Sequence, residues 1–63
     1  MRVNTEKIKK EIKRKGWSIT HFADECGISR QAVYDIYKNQ RTSLRILSEI
    51  GKALDYDPKD LLH

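Results

Sequence analysis

A chain of 63 residues has room for one small hydrophobic core, which excludes a second module beside the domain 1–63 and a substrate cleft closed by a lid. Hydrophobic residues make up 38% and charged residues 35% of the chain, and no apolar run approaches the ~20 residues that cross a bilayer. The net charge of +4 gathers in residues 1–15 and 29–45, which indicates a polyanionic partner such as nucleic acid or, alternatively, a solvated lysine-rich surface.

The first predicted helix covers residues 5–15. Asn4 is a good N-cap residue, and Gly16 is a typical stop. Ile8 and Ile12 lie four residues apart, so they share the face that packs inward. Lysine and arginine cover the other faces, either as a solvated surface or as an approach to the flank of a DNA duplex.

The second predicted helix covers residues 19–26 and begins after the N-cap residue Ser18. Its apolar stripe consists of Phe22, Ala23 and Cys26. Gly27 ends the helix, because glycine adopts the left-handed conformation without strain.

The third predicted helix covers residues 30–38 and is capped by Ser29. Val33 and Ile36 point inward, with Tyr37 beside them. We expect Asn39 to end this helix in the left-handed conformation, which asparagine tolerates.

The fourth predicted helix covers residues 44–54, after the cap Ser43, and a short last helix covers residues 58–62. The buried stripe of the fourth helix is predicted to contain Leu44, Leu47, Ile50 and Leu54. Asp57 caps the last helix and Pro58 takes its first position, where proline is favoured.

Together these elements predict an all-α fold, a compact five-helix bundle without strands, with Trp17 as the largest core residue. The second and third helices flank a glycine turn, the arrangement of a helix-turn-helix. Ala23 is small because the third helix is expected to cross close over it. The buried faces leave five side chains of the third helix pointing outward: Arg30, Gln31, Tyr34, Asp35 and Lys38.

From about residue 6 to residue 62, the sequence resembles the Cro/phage-repressor-like helix-turn-helix family, also called XRE-like. The resemblance is carried by Phe22-Ala23, Gly27-Ile28-Ser29, Val33, Ile36, the run from Ser43 to Leu54, and Asp60-Leu61-Leu62. It implies a lambda-repressor-like DNA-binding domain of prokaryotic or phage origin. Ile19 stands where the family often has a phosphate-binding glutamine, and Gly51 replaces a more usual alanine, at a predicted cost of up to ~1 kcal/mol in helix propensity.

Four residues of the third helix are the predicted base contacts. Arg30 suits guanine and Gln31 suits adenine in the major groove, although either residue can instead bind phosphate or solvate the helix. Tyr34 is expected to touch a thymine methyl group or a phosphate, or to pack on the surface. Asp35 accepts from a cytosine amino group, pairs with Lys38 or Arg30, or repels the DNA backbone and so excludes wrong sites.

A second set of residues is predicted to bind the phosphate backbone, which positions the protein without reading sequence. Five of them are expected to face the backbone on either side of the groove: Ser29, Lys38, Asn39, Arg41 and Arg45. By the resemblance, Ser18 and Thr20 approach the other strand. His21 either joins them or is a solvent-exposed histidine.

The sequence predicts neither catalysis nor a cofactor. It contains no nucleophile–base–orienter set, no glycine-rich phosphate loop and no metal-ligand spacing. Cys26, the one cysteine, is expected in the core and excludes an internal disulfide, which fits a reducing cytoplasm. The stretch 1–10 lacks the apolar segment of a secretory signal. We therefore expect a cytoplasmic, nucleoid-associated protein without small-molecule ligands.

The predicted function is a sequence-specific transcriptional regulator, most simply a repressor. It is expected to bind a pseudo-palindromic operator as a homodimer joined through Tyr56, Leu61 and Leu62, although core packing also explains the leucines. The alternative function is a protein-interaction module, such as the antitoxin of a toxin–antitoxin pair or an antagonist of another regulator. The start at Met1 and the missing linker at the end favour a complete chain over a module of a longer regulator.

Overall fold

The computed structural model describes residues 2–63, and Met1, where the predicted domain begins, lies outside them. The described residues form an all-α fold. Its elements are α1 (Thr5–Lys15), α2 (Ile19–Cys26), α3 (Arg30–Asn39), α4 (Leu44–Leu54) and a 3-10 helix (Pro58–Leu61). The predicted fifth α-helix is therefore a single 3-10 turn, ending one residue earlier than expected. None of the helices within residues 2–63 is both long and apolar enough to cross a membrane.

Each α-helix begins at a residue whose side chain accepts a hydrogen bond from an amide of the first turn. The donor–acceptor distances lie between 3.1 and 3.2 Å. The caps are Asn4, Ser18, Ser29 and Ser43. Because a first-turn amide has no partner inside its helix, these four side chains set where the helices start.

The end of α3 differs from the prediction. Asn39 remains helical, and Gln40 takes the left-handed conformation with φ of 56°. The Gln40 amide donates to the Ile36 carbonyl at 2.7 Å, while the Gln40 carbonyl accepts from the Val3 amide at 2.8 Å. The stop is therefore shifted by one residue, to the position whose carbonyl faces the N-terminal segment.

The hydrophobic core draws on all five helices and on the N-terminal segment. Its buried apolar residues are Val3, Ile8, Ile12, Phe22, Ala23, Cys26, Val33, Ile36, Leu47, Ile50, Leu54 and Leu61. The largest is Phe22, and the prediction that Trp17 holds this place was wrong. Trp17 follows the turn at Gly16 and packs against the core only in part, because its ring also stacks on His21 with centroids 4.8 Å apart.

The buried face of α4 is shorter than its sequence pattern predicts. Leu44, the first residue of α4, is 67% exposed. The face continues through Gly51, where an added Cβ would lie 2.6 Å from the Tyr56 carbonyl oxygen. Glycine at this position therefore lets the chain after α4 return close to the helix.

The two ends of the described chain meet in one antiparallel bridge between Val3 and Leu62. Leu61, just before it, is fully buried within the chain's own core. The prediction that Leu61 lies on a dimer surface was therefore wrong, because that side chain already packs inside the single chain. Leu62 and Tyr56 remain partly exposed.

Candidate nucleic-acid interface

A three-residue turn, 27–29, joins α2 to α3. Gly27 takes the left-handed conformation with φ of 70°. Its amide donates to the Asp24 carbonyl at 3.1 Å, and the Ile28 amide donates to the Ala23 carbonyl at 3.0 Å. These bonds satisfy carbonyls at the end of α2 and direct the chain into α3 within one turn. The result is a helix-turn-helix.

α3 has one buried face and one exposed face. Val33 and Ile36 are buried in the core. The exposed face carries Arg30, Gln31, Tyr34, Asp35 and Lys38, at positions that recur with the helical period. The four residues predicted to contact bases are thus brought together on one solvent-facing surface. Whether they touch DNA stays a prediction.

The side chains of Gln31 and Asp35 are joined on this surface. Gln31 Nε2 donates to Asp35 Oδ1 at 3.1 Å, one helical turn away. The expected pairing of Asp35 with Arg30 or Lys38 is therefore not the one found. The bond leaves Gln31 with one amide hydrogen and its carbonyl oxygen, the donor and acceptor that a bidentate contact to adenine requires.

Ser18 and Ser29, the N-cap residues of α2 and α3, are two of the residues that were predicted to bind phosphate. Ser18 Oγ accepts from the His21 amide and Ser29 Oγ accepts from the Ala32 amide, both at 3.1 Å. Accepting these bonds leaves the hydroxyl hydrogens able to donate to an anion. Thr20, in the first turn of α2, is exposed beside them. His21 is also exposed, with its ring stacked on Trp17.

The remaining predicted phosphate ligands continue from α3 into α4. All are exposed: Lys38, Asn39, Arg41 and Arg45. Arg2 stands with them, since it lines an open groove of about 780 Å³ together with residues 39–42. No local signal in the sequence places Arg2 there, because its position depends on the tertiary hydrogen bond from Val3 to Gln40.

The cations of this surface have no acidic partners within the part of the chain that the structure describes. Three side-chain ion pairs and one histidine–carboxylate contact join residues 2–63, and each lies elsewhere: Lys9–Glu6, Arg14–Glu11, Lys52–Glu49 and His21–Glu25. Arg2, Arg30, Lys38, Arg41 and Arg45 are thus open to an external anion. An unneutralised cationic surface of this kind attracts the DNA backbone.

Four of the basic residues of α1 make contacts within the chain instead: Lys7, Lys9, Arg14 and Lys15. Three lysine ammonium groups lie 4.9, 4.9 and 5.3 Å from aromatic ring centroids: Lys7 on Tyr56, Lys9 on Tyr37 and Lys15 on Trp17. Arg14 bonds Glu11 at 2.8 Å, and this guanidinium holds the pKa of the Glu11 carboxyl below its usual value. These contacts favour a structural role for much of the α1 charge.

Cys26, the last residue of α2, is buried in the core, as expected. Burial raises the pKa of its thiol to about 11, so the group stays protonated at neutral pH. The described residues, 2–63, hold no cluster of three His, Cys, Asp or Glu side chains placed to bind a metal ion.

Comparison with known proteins agrees with this geometry. The family model described as Cro/C1-type HTH DNA-binding domain matches residues 7–63, nearly the whole chain. No curated protein and no solved structure gives a significant match. The family resemblance predicted from the residues is confirmed by this match.

Proposed function

The chain belongs to the Cro/C1-type helix-turn-helix DNA-binding family, and from this premise we propose that it is a sequence-specific transcriptional regulator that acts as a repressor. The observation that carries the proposal is the exposed face of α3. Base-reading side chains stand together there, on a helix whose opposite face is anchored in the core. An α-helix fits the major groove of B-form DNA.

The proposed reading of bases centres on Gln31 and Arg30. The hydrogen bond to Asp35 orients the Gln31 amide so that it can engage an adenine edge through two hydrogen bonds. Arg30, in the first turn of α3, can engage guanine in the same way. Tyr34 is 50% exposed and supplies an apolar contact for a thymine methyl group. Asp35 then acts mainly by orienting Gln31.

The proposed phosphate contacts lie on both sides of α3. Ser18, Thr20 and Ser29 present hydroxyl groups at two helix N-termini, where anions are favoured. Lys38, Asn39, Arg41 and Arg45 extend along the opposite side. Such contacts fix the orientation of the helix in the groove and supply most of the salt-dependent affinity.

A homodimer on a pseudo-palindromic site completes the proposal. A small domain doubles its contacts in this way, with half-sites roughly 34 Å apart, one turn of the duplex. Tyr56 and Leu62 remain as the surface for this contact. A dimer mass at micromolar concentration, reduced to monomer by Leu62→Lys, is the expected result. A monomer that stays monomeric on an isolated operator would contradict this part.

Repression requires only occupancy of an operator that overlaps a promoter, without catalysis or a cofactor. It places the protein in the cytoplasm, on the nucleoid. The competing idea, a module that binds only protein, predicts no selective binding to DNA alone, whereas an antitoxin can bind both DNA and a protein.

Selection of bound sites from a random duplex pool at roughly 0.15 M salt tests the function. The expected result is an enriched motif with two inverted half-sites. The double variant Arg30→Ala/Gln31→Ala serves as the control and should lose the motif while keeping salt-sensitive binding. Absence of any enriched motif with the wild-type chain would overturn the proposal in favour of a protein partner.

A further inference from the structure

We propose that Arg2 and Arg41 together form a binding site for a DNA backbone phosphate, in the groove beyond the C-terminal end of α3. This inference rests on the proposed function and extends it to the N-terminal segment, which lies outside the helix-turn-helix. The groove is lined by Arg2, Asn39, Gln40, Arg41 and Thr42.

The chemistry of the lining is that of an anion site. Two arginines line the groove together with Asn39, Gln40 and Thr42, and all five side chains can donate hydrogen bonds. Among the described residues, no carboxylate lines it or pairs with either arginine. Arginine matches phosphate through two parallel hydrogen bonds, so a pair of arginines can hold one phosphate from two sides.

The backbone of Arg2 is held in place by the fold. On one side the next residue, Val3, donates its amide hydrogen to the Gln40 carbonyl at 2.8 Å. On the other side the Arg2 carbonyl accepts from the His63 amide at 2.9 Å, and the Asn4 amide donates to the Leu61 carbonyl at 2.7 Å. The N-terminal segment is thus clamped between the end of α3 and the C-terminal residues.

The left-handed residue Gln40 makes this clamp possible. A positive φ is uncommon for residues with a side chain, and it turns the Gln40 carbonyl toward Val3. The same turn leads directly into Arg41. One backbone feature therefore brings Arg2 and Arg41 to the same groove at the end of α3.

The partner is a duplex phosphate because of where the groove lies. Arg41, which lines it, is already proposed to follow the DNA backbone, as is the exposed Lys38, one residue before the lining residue Asn39. An adjacent phosphate of the same strand extends that row without any movement of the fold. The added contact carries no sequence information and contributes equally to all duplexes.

The test compares Arg2→Gln with Lys52→Gln, which removes the same charge from the last turn of α4, about 12 Å along the helix from Leu44. Binding to the selected operator is measured from 50 to 300 mM salt. Arg2→Gln is expected to weaken binding roughly tenfold and to lower the slope of log K against log salt by ~0.9, the share of one phosphate. Lys52→Gln is expected to change the affinity and the salt slope by less than half of these amounts.

A methylphosphonate scan then locates the contact, since each substitution neutralises one phosphate of the operator. Neutralising one position should weaken the wild-type protein more than the Arg2→Gln variant, in which only Arg41 still contacts that phosphate. If every position affects both proteins alike, or if the two variants share the same salt slope, the inference is wrong while the proposed function stands. If the wild-type protein binds no operator, the proposed function has failed instead.

The clamp is tested with His63→Pro against His63→Ala. Proline removes the amide that bonds the Arg2 carbonyl, and Leu62 already has the extended backbone that a following proline requires. His63→Pro should weaken operator binding about 2- to 5-fold relative to His63→Ala and should have no effect when combined with Arg2→Gln. An equal effect in both backgrounds would show that the C-terminal residues do not act through Arg2.

Discussion

Gly51 illustrates how a single residue is set by a contact that comes later in the chain. Alanine has the better helix propensity, by about 1 kcal/mol, so the glycine looks unfavourable in the sequence. In the fold, an alanine Cβ would stand 2.6 Å from the Tyr56 carbonyl oxygen, with Pro58 at 3.4 Å. Backbone atoms cannot move aside as a flexible side chain can. The tertiary contact therefore outweighs the propensity.

We predict that Gly51→Ala lowers the free energy of unfolding by ~1–3 kcal/mol, because the segment after α4 must shift to admit the methyl group. Denaturant unfolding measures the change. Lys52→Ala, an exposed substitution in the same turn, is the control and should stay within about 0.5 kcal/mol of the wild type. A Gly51→Ala variant more stable than the wild type would show that propensity dominates.

At the DNA-facing surface, Gln31→Ala is expected to weaken operator binding by about 1–3 kcal/mol and to relax preference at one base pair. Asp35→Ala should relax the same base pair, because the Gln31 amide loses the partner that orients it. It should also strengthen binding to non-specific duplex, since a negative charge leaves the surface. Competition binding against operators changed at each base pair measures both effects.

Asp35→Asn is the matched control, because it keeps an oxygen that accepts from Gln31 while removing the charge. It should retain the base preference and gain non-specific affinity. Relaxation at a different base pair in Asp35→Ala would instead mean that Asp35 reads a base directly.

At the scale of the helices, boundaries follow from local chemistry. The side chains of Asn4, Ser18, Ser29 and Ser43 cap the helices that they were predicted to cap. Ser29 has two roles in our account, as the cap of α3 and as a phosphate contact. The two roles can be separated, since aspartate caps a helix as well as serine does but repels phosphate.

We expect Ser29→Ala to cost about 0.5–2 kcal/mol of stability, because the Ala32 amide loses its acceptor. Ser29→Asp should keep the stability of the wild type and bind DNA more weakly, most clearly at low salt. Thermal unfolding and salt-dependent binding measure the two properties.

Ser48→Ala, in the middle of α4, controls for the loss of a hydroxyl outside a cap and should leave both properties nearly unchanged. If Ser29→Asp binds DNA with wild-type affinity, Ser29 does not contact a phosphate.

For the whole molecule, the buried thiol of Cys26 couples stability to alkaline pH. Burial raises its pKa from 9.0 to about 11 in the folded chain. The folded state then holds the proton more tightly than the unfolded state. The stability that the Cys26 thiol contributes in this way is fully present below pH 9 and is lost as pH rises from 9 toward 11.

Stability should therefore fall above pH 9 with a slope of at most ~1.4 kcal/mol per pH unit from this group. Cys26→Ala should flatten the slope between pH 9 and 10.5, whatever it does to stability at pH 7. Thermal unfolding across this range measures the effect. The raised pKa of Tyr37, also caused by burial, acts in the same direction, so Tyr37→Phe is a useful second variant. If stability depends on pH in Cys26→Ala as it does in the wild type, the Cys26 thiol does not cause the slope.

The sequence by itself determined the features that depend on neighbours within about four residues. These include the four capped helices, the glycine turn at Gly27 and the division of α3 into a buried and an exposed face, because each follows from hydrogen bonds or periodicity within one helical turn. The eleven residues that the sequence predicted to contact DNA are all exposed.

Only the tertiary structure decided what depends on residues distant in the chain. α3 ends at Gln40 rather than at Asn39, because the Gln40 carbonyl accepts a hydrogen bond from the Val3 amide. The same hydrogen bond holds the segment that carries Arg2 beside the end of α3. Leu61 entered the core rather than a dimer surface, and Leu44 was left outside it. Periodicity tells which face of a helix is apolar, but it contains no information on which distant segment covers each part of that face.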